Sequence, residues 1–181
     1  VIERIVLIGF MCAGKSTVGR LLTDRLGWEL VDFDETIERL QGQTVADIFR
    51  DHGESHFRRL EAELTGQMEA RRSVVLVPGG GWVTQHGLVE RLRPASLFVW
   101  LRVRPDTVYD RYSRLAPEDR PLLAVDDPRG AIQRLLAARE PFYRQADVTI
   151  DTDDRPADEV AGGIIDLLRT RRPTGEVDAQ C

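Results

Sequence analysis

Gly9-Phe10-Met11-Cys12-Ala13-Gly14-Lys15-Ser16-Thr17 decides the fold. The stretch fits G-x-x-x-x-G-K-[ST], a phosphate-binding loop, and its flanks are those the motif requires. Upstream, Ile5-Val6-Leu7-Ile8 is a short, largely β-branched run that reads as a buried parallel strand. Downstream, Val18, Leu21, Leu22 and Leu26 recur at helical spacing, so a helix is expected from about Lys15. Glycines let backbone N–H groups turn inward around phosphate oxygens. The helix N-terminus adds partial positive charge, Lys15 reaches the β- and γ-phosphates, and the Ser16 hydroxyl can hold Mg²⁺. Cys12, Ala13, Gly14, Lys15, Ser16 and Thr17 are therefore the expected nucleotide-binding residues.

Composition sharpens the assignment. Of 25 lysines and arginines Lys15 is the only lysine, the other 24 being arginine. A compact ammonium fits between phosphates where a planar guanidinium does not. At 181 residues, with 42% hydrophobic and 30% charged residues, the chain suits one soluble domain. That domain is expected over 1–170, with 171–181 as a frayed tail. A net charge of −5, with arginines scattered rather than massed, argues against a nucleic-acid partner. No apolar run reaches the length of a membrane span and no signal peptide precedes the first strand. Cys12 and Cys181 make no disulfide framework, and the cytoplasm is the expected compartment.

Past the first helix, Trp28 to Val31 reads as a second strand that ends at Asp32-Phe33-Asp34. Ligands of open α/β sheets lie beyond the carboxyl ends of the strands, so both carboxylates should face the phosphate loop. Two apart in an extended segment, they point the same way. The strand Ser73 to Val77 ends in Pro78-Gly79-Gly80-Gly81 and supplies no acid. Asp32 is therefore expected toward Mg²⁺ and Asp34 toward the group that accepts the phosphoryl. The glycine run allows close approach of backbone to a ligand. Thr44 caps a helix that Gly53 ends, and a second helix runs from Glu54 to Ala70 with Arg58, Arg59 and Glu61 on it. Leu97 to Leu101 is a further strand. The charged, proline-containing segment at about 114–127 reads as a lid, with Arg120 the cation that it brings to the phosphates. A helix from about Pro128 includes Arg139, and Val148-Thr149-Ile150 is the fifth strand. Strands alternating with helices make a three-layer α/β/α sandwich around a five-stranded parallel sheet.

The ordered set of motifs resembles the shikimate kinase family from Ile5 to about Leu168. Its carriers are the loop at 9–20, Asp-Phe-Asp at 32–34, Gly-Glu-Ser-His-Phe-Arg-Arg-Leu-Glu at 53–61 and Gly-Gly-Gly at 79–81. Arg-Pro-Leu-Leu at 120–123 and Ala-Arg-Glu-Pro-Phe-Tyr at 138–143 complete it. The resemblance implies strand order 2-3-1-4-5 and ATP as donor. It also implies phosphorylation of the 3-hydroxyl of shikimate by a monomer that needs neither nucleic acid nor membrane. It assigns acceptor contacts to Asp34, Arg58, Gly79, Gly80, Gly81 and Arg139, and Mg²⁺ to Ser16 and Asp32. Arg111, Arg120 and Arg155 fall to the nucleotide, and Lys15, Asp34 and Arg120 to the chemistry. Two other readings remain at this point: a kinase of the same fold for another polyol acid such as gluconate, and a nucleotide-binding module without an acceptor. Trp82, directly after the glycine run, is expected to narrow or reshape the acceptor pocket, and Cys12 stands where a glycine is expected.

Overall fold

The computed structural model describes residues 1–114, 123 and 125–171. Its first strand, β1 (Arg4–Ile8), is buried along its whole length. The phosphate loop follows, and α1 (Lys15–Leu26) starts behind Gly14 and stops at Gly27, whose N–H bonds back to Thr23. Next come β2 (Glu29–Asp32), α2 (Phe33–Gln41), α3 (Val45–His52) and α4 (Glu54–Met68). Then follow β3 (Val74–Val77), a 3₁₀ turn at Trp82–Thr84, α5 (Leu88–Leu92) and β4 (Ser96–Arg102). The chain continues through α6 (Pro105–Tyr112), α7 (Pro128–Tyr143), β5 (Val148–Asp151) and α8 (Ala157–Arg171). All strand pairings are parallel, and the sheet order is β2-β3-β1-β4-β5, as the resemblance implies.

Strand alternation divides the core in two. Ile5 and Leu7 of β1, Val75 and Val77 of β3, and Leu97, Val99 and Leu101 of β4 face one side, where Val18, Leu22 and the apolar stripe of α8 cover them. Val6 and Ile8, Val74 and Leu76, and Phe98 and Trp100 face the other side, under α2 to α5. Helix α7 serves both halves, with Ile132 in the first cluster and Tyr143 in the second. The loops after β1 and β3 and the start of α2 lie at the same, carboxyl-terminal edge of the parallel sheet.

Several boundaries differ from expectation by a residue or two, and two of the differences have a visible local cause. The Asp32 side chain accepts from the backbone N–H groups of Asp34 and Glu35, so α2 starts at Phe33 and Asp34 is already helical. The pair is thus not two steps along one extended segment, as the spacing implies. Strand β3 starts at Val74 because Ser73 holds φ 53, a left-handed conformation no strand accepts. Helix α4 ends at Met68, two residues short of Ala70. The expected cap of α3 is present, Thr44 Oγ1 accepting from Asp47 N at 3.1 Å. Most of the segment expected as a lid, including Arg120, and the tail from 172 lie outside the described residues.

Candidate active site

At the phosphate end, the loop closes on Lys15. Its ammonium is buried and donates to the carbonyls of Gly9 at 2.9 Å and Phe10 at 3.0 Å. Ser16 Oγ donates to Asp32 Oδ2 at 2.6 Å, which ties the start of α1 to the end of β2. Cys12 holds φ 60, the region a glycine would occupy without strain. Arg111 steadies the outer side of the loop: one guanidinium nitrogen donates to Cys12 O at 2.8 Å, another to Thr152 O at 2.9 Å. Arg111 and Arg155 line a shallow depression with Cys12, Gly14 and Thr17 beside the loop.

The acceptor end is assembled from distant segments. Met11 to Thr17, Asp32, Asp34, Arg58, Val77 to Gly81 and Arg139 line one cavity, with Val45 and Phe49 of α3 as its apolar wall. The glycine run packs closely against its neighbours. A Cβ at Gly79 would lie 2.7 Å from Glu61 Oε1, and one at Gly81 would crowd an Arg58 nitrogen, so either would push the end of that side chain aside. Arg58 donates to Glu61 Oε2 at 2.6 Å and to Glu54 Oε1 at 2.8 Å. Glu61 is fully buried. Its Oε2 also accepts from Gln85 at 2.8 Å, while Oε1 has no hydrogen-bond partner among the described residues. Burial, with the charge of Asp34 adding to it, pushes the Glu61 carboxyl up to about 7 against the opposing pull of Arg58. Arg139, on α7, is buried with its guanidinium 5.5 Å from the centre of the Phe10 ring.

Comparison with known proteins decides the family. The shikimate kinase profile matches residues 11–169. The chain belongs to the shikimate kinase family. It is 44% identical to the shikimate kinase of Symbiobacterium thermophilum over 172 residues, 94% of this chain and 99% of that protein. The Acinetobacter baumannii shikimate kinase solved with shikimate superposes with a TM-score of 0.90 at 36% identity, covering 96% of this chain and 97% of that one. A Sinorhizobium meliloti gluconokinase, at 19% identity and TM-score 0.58 over 93% of this chain and 94% of that one, shares the fold alone.

Within this family frame, the structure gathers the expected residues in two groups. Cys12 to Thr17, Asp32, Asp34, Arg58, Gly79 to Gly81 and Arg139 share the cavity, while Arg111 and Arg155 line the depression on the other side of the phosphate loop. Arg120 lies outside the described residues. Trp82 departs from expectation. It is fully buried, stacks on Phe98, meets Phe33 edge-on and donates to Thr65 Oγ1 at 2.9 Å, so it lines the core and not the pocket. The backbone turns at Gly81 into a 3₁₀ turn, which carries the indole beneath the loop. Three neighbours of the site escape sequence reasoning: Glu61, Gln85 and Tyr143. Glu61 and Tyr143 left traces, each as the last residue of a quoted motif, at 53–61 and 138–143; nothing in the sequence marks either as buried.

Proposed function

We propose that this chain transfers the γ-phosphoryl group of ATP to the 3-hydroxyl of shikimate, giving 3-phosphoshikimate and ADP. One observation carries the reading: a single cavity has a phosphate loop at one end and two arginines, Arg58 and Arg139, at the other, with Asp34 on its wall. Shikimate is a small ring with one carboxylate and three hydroxyls. Guanidinium groups suit a planar carboxylate through paired hydrogen bonds, and Asp34 suits the hydroxyls. A kinship with shikimate kinases over nearly the whole chain supports the same acceptor.

The geometry and the motifs support these roles. Lys15 leaves the carbonyls of Gly9 and Phe10 for the phosphate oxygens, which offer it full negative charge instead of dipoles. Arg111 and Arg155 flank the base of the nucleotide. Asp34 orients the acceptor hydroxyl and takes its proton, while Arg58, Arg139 and the glycine run hold the rest of the ring. Arg120 is assigned to the transferring phosphoryl by its motif. Ser16 and Asp32 fit a magnesium ion: both offer hard oxygen donors and they already touch at 2.6 Å. Mg²⁺ there would neutralise charge on the phosphates. Both substrates are small and water-borne, which fits a cytoplasmic reaction. No helix among the described residues is long and apolar enough to cross a membrane.

A coupled assay of ADP release with shikimate, with gluconate and with no acceptor tests the reading. Turnover with shikimate well above the other two is expected. Preference for gluconate would make the chain a sugar-acid kinase, and ATP binding without turnover on any acceptor would make it a binding module.

A further inference from the structure

The glycine run works as a cradle only if its peptide groups are aimed, and the structure shows what aims them. Gly79 O accepts from Trp82 N at 3.0 Å, and Gly81 O accepts from Thr84 N at 3.1 Å and from Thr84 Oγ1 at 2.8 Å. Those bonds are local. Gly80 O is different, because it is held by the hydroxyl of Tyr143, 63 residues away on α7. In a trans peptide the carbonyl and the next N–H point in opposite directions. Fixing Gly80 O therefore fixes the direction of the Gly81 N–H.

Tyr143 is well suited to that task. It is fully buried and its ring stacks on Trp100, centroids 5.7 Å apart and planes 24° from parallel. Trp100 lies on β4 and pairs with Ile8, the last residue before the phosphate loop turns away, so the base of the stack is the centre of the sheet. Arg139 stands one helical turn earlier on α7, close enough for its charge to act on the hydroxyl. A guanidinium only donates, so the single phenolic proton goes to Gly80 O and a lone pair faces Arg139. Burial keeps that proton in place, holding the phenol well above its ordinary range despite the nearby arginine. A Cβ at Gly80 would lie 3.5 Å from an Arg139 nitrogen and 3.2 Å from Met11 N. Glycine loop, arginine and phosphate loop thus converge on this one point.

We propose that Tyr143 is a positioning residue for the acceptor: its hydroxyl holds the Gly80 carbonyl beside the Arg139 guanidinium, so that the Gly81 N–H and that guanidinium meet the acceptor carboxylate as one preformed unit. The inference rests on the proposed function for the identity of the acceptor. Tyr143 does not touch the substrate; it removes the freedom of two groups that do, which lowers the ordering cost of binding.

Tyr143→Phe keeps the ring and its stack on Trp100 and deletes only the hydroxyl. Assayed well below the melting temperatures of both proteins, the variant should show a KM for shikimate raised about tenfold, the scale of one hydrogen bond to a charged group. KM for ATP should stay within about twofold of the parent. A double-mutant cycle with Arg139→Lys, read on the KM for shikimate, should be non-additive, because both changes break the same unit. A role in packing alone would instead lower the melting temperature and leave the ratio of the two KM values unchanged. That outcome, or an additive cycle, overturns the inference. If the parent itself does not phosphorylate shikimate, the proposed function fails and not the role of Tyr143.

Discussion

The two ends of the cavity keep their cations ready in different ways. At the phosphate end, the partners of Lys15 include two backbone carbonyls, which are dipoles without net charge. At the acceptor end, Arg58 rests on two carboxylates, Glu54 and Glu61, and one of those is fully buried. A carbonyl gives way readily to a phosphate, because the charged oxygen makes the stronger hydrogen bond. Arg58 is already neutralised and oriented, so an incoming carboxylate adds a partner and displaces none of necessity. The phosphate end is thus built to exchange partners and the acceptor end to hold still. The cost of the second arrangement falls on Glu61, a carboxylate taken out of water with one oxygen unpartnered among the described residues.

If the phosphate end depends on one exchangeable ammonium, replacing it should have the largest effect. Lys15→Ala is expected to lower kcat at least about a hundredfold, the scale for losing one preorganised donor at developing charge. Lys15→Arg should not restore it, because the slot between Gly9 O and Phe10 O is buried and a guanidinium is broader than an ammonium. Steady-state kinetics on variants whose circular dichroism matches the parent would check this. An arginine variant within a few-fold of the parent would mean that the loop needs charge and not shape.

A smaller effect should appear at the acceptor end as a pH dependence of stability. Glu61 has its carboxyl raised from 4.5 to about 7 on folding. Between those values the native state binds more protons than the unfolded chain, so stability falls as pH rises through this window and levels off above it. The burden should be on the order of 3 kcal/mol at most, since each pKa unit corresponds to about 1.4 kcal/mol. Glu61→Gln does not titrate. The stability of the parent relative to this variant, from denaturant melts, should therefore decline from about pH 4.5 to about pH 7. A parent whose stability relative to the variant is level above about pH 4.5 and falls below it would show Glu61 to be an ordinary ion pair with Arg58.

The same contrast explains what could be read in the sequence. The phosphate end is one contiguous stretch, and strand, loop and helix each carry a local signal, so both its elements and its residues were legible. Thr44 and Gly53 were legible for the same reason, since caps act over three or four residues. The acceptor end draws on α2, α4, α7 and the loop after β3. Its glycine run read as a place of close backbone approach, while the roles of its arginines emerged only through resemblance to a family. Burial is set by tertiary packing, so nothing local marked Glu61 as enclosed, Trp82 as core or Tyr143 as the partner of Gly80. Asp32 and Asp34 lie between these cases. Both reach the cavity as expected, but Asp34 does so from the first turn of α2 and not from an extended strand. Helix α5, five residues long, was too short for its periodicity to register.

The central claim is that the acceptor end reads a carboxylate through Arg58 and Arg139. The most direct measurement compares shikimate with its amide, as kcat/KM, in the parent and in Arg58→Ala and Arg139→Ala. Truncating one partner of a buried charge pair costs on the order of 2–5 kcal/mol. Each alanine variant should therefore lose roughly thirtyfold or more on shikimate while its affinity for ATP changes little. The parent should use the amide far less well than the acid, and the alanine variants should discriminate much less between the two. A parent that uses acid and amide alike would contradict the account, even with the phosphate loop correctly assigned.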